Sequence, residues 1–194
     1  MPKEELFDRN EVLDRAIDLF QRKGYNGTSI GDLEEATKLK RSSIYNSFDS
    51  KQNMFFEVMK AYSKRYGVLL SKAIQEAKDV PEAILNIFEV HIDVMTKDKT
   101  HSGCLFVNSK AELWNEDDFC GFLERSQEGL FKLLFDLIEK GKLENSIRDN
   151  VGSKEQTLFL MTNIHGIRLT GMSNYDKKEL RQVAEQVVDG LRKI

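Results

Sequence analysis

The chain of 194 residues is 40% hydrophobic and 31% charged, a balance that fits a folded globular protein and excludes a disordered one. No apolar run reaches bilayer-spanning length, and the opening MPKEELFDRNE is acidic where a secretory leader would be basic and then apolar, so a cytoplasmic location is expected. A net charge of −3 argues against indiscriminate coating of nucleic acid, and two cysteines, Cys104 and Cys120, are too few for a disulfide scaffold.

Between Asn10 and Lys23 the apolar residues Val12, Leu13, Ala16, Ile17 and Phe20 recur at helical spacing, and Gly24 supplies a stop. Thr28 and Ser29 are N-cap residues for a second helix that buries Ile30, Leu33 and Ala36, with Asp32 near its positive end. Leu39 falls in a turn, and Ile44 and Phe48 carry the inward stripe through a third short helix. A new cap at Asp49, Ser50 and Lys51 opens a longer helix through Met54, Phe55, Val58, Met59 and Tyr62.

Pro81 suits a helix start, and Ile84, Leu85, Phe88, Ile92 and Met95 mark a helix ending near Lys97. The stretch KDKTHSG reads as a loop. A short helix is predicted over 104–114 and a long one over 117–140, followed by a turn-rich stretch over 141–153 and helices over 154–172 and 176–193. Only CLFV, residues 104–107, is ambiguous with a strand. The prediction is an all-α fold.

Residues 28–51, TSIGDLEEATKLKRSSIYNSFDSK, carry the clearest chemistry. Apolar anchors Ile30, Leu33, Leu39, Ile44 and Phe48 hold two short helices together as a helix-turn-helix. They turn Lys40, Arg41, Ser42, Ser43, Tyr45 and Asn46 toward solvent, and the second helix of such a pair enters the major groove of double-stranded DNA. Arg41 can read guanine through two parallel hydrogen bonds and Asn46 can read adenine likewise. Thr28, Tyr45 and Lys51 are expected on phosphates. Lys38, Lys40 and Arg41 form a local basic patch with no acidic residue between Thr37 and Phe48. A merely solvated helical hairpin is the plain alternative.

The run AIDLFQRKGYNGTSIGDLEEATKLKRSSIYNSFDSKQNMFFEV resembles the DNA-binding domain of the tetracycline-repressor (TetR) family of bacterial regulators. Its pieces are "A…LF…KGY..TS", then "I..L…A", then "S.IY..F.SK" leading into an apolar helix. Three positions depart from the family pattern. Lys38 stands for the usual turn glycine, Lys40 for the usual serine, and Ser47 for an aromatic. A left-handed backbone at Lys38 would cost on the order of 1 kcal/mol.

The resemblance implies a DNA-binding domain over 1–50 and a helical effector-binding and dimerisation domain over 51–194. GCLFVNSKAEL, residues 103–113, looks like a segment of one TetR subgroup. The last two helices are the dimer candidates, through Leu158, His165, Leu169, Val183, Val187 and Leu191. Their stripes could equally pack within one chain. A two-fold pair of heads would select a palindromic operator. Nominated for a small-molecule pocket are Phe88, His91, Cys104, Asn108, Glu112, Trp114, Phe122, Asn163 and His165, with Arg168 beside them; the same residues also describe an ordinary core. No cofactor is expected, and no second pair completes a metal set with His101 and Cys104.

The sequence therefore predicts a homodimeric, sequence-specific transcriptional regulator, a repressor released by a small-molecule effector. Two alternatives remain: an effector-independent DNA-bound adaptor for a protein partner, and a thiol-based redox or electrophile sensor using Cys104 near a helix start. No catalytic triad or phosphate-cradling glycine loop is visible, so an enzyme is not expected.

Overall fold

The computed structural model describes residues 7–97, 103–173 and 175–193, with Lys97 and Ser126 described by their backbone alone. Nine α-helices fill the described residues, and the single antiparallel bridge pairs Ile147 with Arg192. None of these helices is long and apolar enough to cross a membrane.

Local chemistry sets the first boundaries. Asp8 caps α1 (Arg9–Lys23) by accepting from the amides of Asn10 and Glu11, and Gly24 ends it at a φ of 72°. Ser29 and Asp32 form a reciprocal capping box on α2 (Ile30–Thr37). Lys38 then adopts the left-handed conformation, φ 62° and ψ 16°, which closes α2 and turns the chain into α3 (Arg41–Phe48). The strain expected at this non-glycine turn is present. Ser50 caps α4 (Lys51–Gln75), whose 25 residues make a rod about 37 Å long.

Beyond it lie α5 (Val80–Lys97), α6 (Leu105–Leu113), α7 (Asp117–Leu143), α8 (Ser153–Thr170) and α9 (Lys177–Asp189). The ambiguous CLFV segment is helical from Leu105 onward, with Cys104 as the N-cap of α6. Helix α7 runs past Gly141, where a turn was expected. A Cβ there would meet Ile147 at 2.4 Å and Val80 at 2.9 Å, so this glycine permits close packing. Most of the predicted 97–103 loop lies outside the described residues.

Two apolar cores are threaded by α4. The first joins α1, α2 and α3 to the N-terminal half of α4, through Phe20, Leu33, Ile44, Phe48 and Phe55, and extends to Leu105 and Leu113 of α6 and Phe119 of α7. The second surrounds α5, where Ile84, Ile87, Phe88 and Ile92 meet Leu70, Leu134, Ile138, Leu160 and Val188. Each fully buried side chain of this size stabilises the fold by about 1.5–3 kcal/mol. Helix α4 thus contributes buried side chains to both cores.

Candidate nucleic-acid interface and internal cavity

Helix α3 presents one polar face. Ile44 and Phe48 are buried beneath it, while Lys40, Arg41, Ser42, Tyr45 and Asn46 are exposed and Ser43 is half-buried. The Arg41 guanidinium lies 5.8 Å from the centroid of the Tyr45 ring, and the Arg41 amide donates to the Glu34 carboxylate at 2.6 Å. That bond ties the start of α3 to α2. At the other end, Arg9 donates to both oxygens of Glu57 at 3.0 and 2.7 Å and to the Ser47 carbonyl at 3.1 Å, with its guanidinium 4.3 Å from the Phe48 ring. Arg9 bolts α1, α3 and α4 together, and nothing in the sequence pattern singled it out.

The acidic group of the first turn of α2 is neutralised locally. Hydrogen bonds from Lys23, and then from Ser29, hold the Asp32 carboxyl well below the usual carboxylate range. The exposed face of α3 carries the positive side chains Lys40 and Arg41, with the Glu34 carboxylate at its N-terminal end.

Thr28 and Lys51, expected on phosphates, are placed otherwise. Thr28 is 1% exposed and its hydroxyl donates to the Gly24 carbonyl at 2.6 Å. The Lys51 ammonium donates to the carbonyls of Tyr25 and Thr28, both at 3.0 Å, and sits 4.1 Å over the Tyr25 ring. Burial pushes its pKa down, opposed by the nearby Glu112 charge. Two of its three donors close the Gly24–Thr28 turn, so Lys51 is a clamp on that turn.

A cavity of about 590 Å³ opens between α4 and α7, with α5 and α8 behind it. Tyr62, Tyr66, Gly67, Leu70 and Ile74 of α4 face Gln127, Gly129, Leu130 and Leu133 of α7; His91, His165 and Arg168 form the polar end. Of the nominated pocket residues, His91, His165 and Arg168 line it. Phe88 is wholly buried in the second core. Cys104 is 2% exposed behind Tyr62, whose hydroxyl approaches Sγ at 3.6 Å. Trp114 is 69% exposed, Phe122 stacks on Phe56 at 4.7 Å, and Asn163 donates to its own helix at Phe159.

Asn108 and Glu112 also lie away from the cavity, because α6 packs its polar side against α1. Asn108 donates to the Gln21 carbonyl at 3.5 Å, and Glu112 accepts from the amides of Tyr25 at 2.9 Å and Asn26 at 2.7 Å. Sequence reading missed the α4 wall, since Tyr62 and Tyr66 look like core residues. The small residues Ser63, Gly67 and Ser71 interleaved with them were the available signal.

The nominated dimer residues divide. Leu158, Leu169 and Val183 are exposed, as are Phe159 and Met172. His165 is half-buried at the cavity. Val187 and Leu191 are buried against α5 in the second core, because α9 uses its Leu180, Ala184, Val187, Val188 face within the chain. His101 lies outside the described residues.

Comparison with known proteins gives a consistent picture. Residues 12–58 match the family profile described as bacterial regulatory proteins, tetR family. The chain is 26% identical over 181 residues to the HTH-type transcriptional repressor ComR of Escherichia coli, covering 92% of this chain and 86% of that one. Its fold superposes with a TM-score of 0.87 on a cysteine-substituted CifR, a TetR family regulator complexed with 26-bp operator DNA, at 22% identity and 97% and 99% coverage. A TetR regulator from Chloroflexus aurantiacus superposes with a TM-score of 0.84, at 18% identity and 96% coverage of both chains.

Proposed function

We propose that this chain, whose residues 12–58 match the tetR family of bacterial regulatory proteins, is a TetR-family homodimeric repressor whose two α3 helices read a palindromic operator and which a small molecule releases. The observation carrying this reading is the exposed polar face of α3, braced from below by Ile44 and Phe48 and at its ends by Glu34 and Arg9. Rigid bracing fits readout, because a side chain already held in place loses less entropy on meeting a base edge. Residues 1–50 act as the reading head and 51–194 as the sensing and dimerising body.

Arg41 and Asn46 specify bases, whereas Lys40, Ser42, Ser43 and Tyr45 position the head on the backbone. Exposed Leu158, Leu169 and Val183 supply the apolar part of a two-fold interface of α8 and α9. Two heads about 34–36 Å apart engage successive major grooves. The effector occupies the cavity beside α4 and favours a conformation in which α4 holds the heads at another separation. Effector and DNA then weaken each other by the same factor.

The test is selection of bound sequences from a random double-stranded pool by the purified protein. Enrichment of one inverted repeat with half-sites one helical turn apart is expected. An unrepeated half-site would remove the dimeric reader, and no enrichment would remove sequence-specific binding.

A further inference from the structure

The polar end of the cavity contains a charge without a counter-charge. Arg168 is 7% exposed, lines the cavity, and has no carboxylate partner among the described residues. Its Nη2 donates to Nδ1 of His91 at 2.8 Å and its guanidinium lies 5.2 Å from the Tyr66 ring, yet its Nε is buried with no hydrogen-bond partner. A guanidinium can only donate, so His91 Nδ1 must present its lone pair and the ring is neutral. His91 therefore accepts from Arg168 without neutralising it.

The acids on α5 are committed elsewhere. Glu89 pairs with Arg181 at 2.8 Å and Asp93 pairs with Lys177, both on the α9 side. No acidic side chain lines the cavity among the described residues, and Arg168 is the charged side chain in that lining. A buried cation left unpaired is costly, and a protein tolerates one where an anion completes it.

We propose that the cavity binds an organic monocarboxylate, its oxygens taken by Arg168 and its apolar body laid along Leu70, Ile74, Leu130 and Leu133. The planar guanidinium matches a carboxylate in a forked pair. The rest of the lining is mainly apolar, which suits a hydrocarbon or aryl body better than a second charge. The volume accommodates a ligand of ordinary small-molecule size. This rests on the reading of the cavity as the effector site and names the effector's class.

The test uses the full-length protein without DNA. Calorimetry and thermal melting are run with 6-phenylhexanoate and 2-naphthoate, each against its primary amide, and with inorganic phosphate. At least one carboxylate is expected to bind about tenfold or more tightly than its amide. Arg168→Gln keeps a donor toward His91 and should erase that preference. Without ligand it should melt no lower than the parent, since it removes an unpaired buried charge. Gly129→Leu, added where a Cβ meets nothing within 4 Å, should abolish binding of acid and amide alike by filling the cavity.

Binding of neither carboxylate, equal binding of the amides, tighter binding of phosphate, or an Arg168→Gln variant that keeps the preference would each overturn the proposal. So would a large fall in the melting temperature of ligand-free Arg168→Gln, which would mark Arg168 as structural. In a separate titration of the protein bound to its selected operator, a carboxylate that binds the free protein yet fails to displace the DNA would overturn the effector reading of the cavity and leave the anion site standing.

Discussion

The carboxylate of Glu112, on α6 of the body, accepts the backbone amide of Tyr25, in the turn after α1, at 2.9 Å. Its second oxygen takes the amide of Asn26 at 2.7 Å. The same turn is closed from the other side by Lys51 of α4, and the Tyr25 ring packs on Phe55 at 5.0 Å and Phe119 at 4.8 Å. One short turn is thus gripped by α4, α6 and α7 together, which ties the end of α1 to all three.

Glu112→Ala leaves those two amides without their acceptor and should destabilise the protein by about 1–2 kcal/mol. It should also reduce the fold by which an effector weakens DNA binding, because the body loses one of its grips on the head. Denaturant melts and operator titrations with and without effector measure both. Unchanged coupling in a folded variant would show that Glu112 is only a local cap.

Lys51→Met removes charged hydrogen bonds to two carbonyls and should cost about 1.5–3 kcal/mol in stability. Because the ammonium points into the turn, the slope of log affinity against log salt should stay as in the parent. A slope reduced by about one counterion would return Lys51 to the phosphate-contacting set.

Leu169→Glu and Val183→Glu should give folded monomers by analytical ultracentrifugation, since both side chains face solvent in a single chain. Val187→Glu should instead unfold the body, because it buries an unpaired charge against α5. Dimers that survive both exposed substitutions would place the interface elsewhere.

Acidification should weaken the fold through His91. Burial, then the Arg168 and His165 charges, hold its pKa well below the usual 6.5. The unfolded chain binds that proton more readily, so His91 contributes stability above about pH 6.5 that is lost as pH falls toward its folded value. The melting temperature should drop between about pH 7.5 and about pH 5.5, and drop less in His91→Gln. Equal drops would assign the acid sensitivity to other groups.

The N-terminal helices were legible because caps and stripe agree locally, Ser29 with Asp32 and Ile44 with Phe48, while the left-handed Lys38 followed from the resemblance, which puts it where the family has a turn glycine. Residues whose roles depend on distant partners were not. Lys51 is a polar type at the edge of the helix-turn-helix segment, and only its bonds to the distant carbonyls of Tyr25 and Thr28 turn it inward. Glu112 and Asn108 interrupt an apolar helix as pocket residues would, but α6 lies against α1. On α9, Val183 and Val187 belong to one stripe, and the chain's own α5 covers only Val187. Periodicity reports that a face is buried and leaves open what buries it.

The central claim is that the outer face of α3 reads base edges, and Arg41→Ala tests it most directly. Fluorescence anisotropy compares parent and variant on the selected operator, on operators altered one base pair at a time, and on random DNA. The account predicts a loss of about 1–3 kcal/mol on the selected operator, relaxed discrimination at one base pair per half-site, and little change on random DNA. Equal weakening on every sequence, or none, would contradict it.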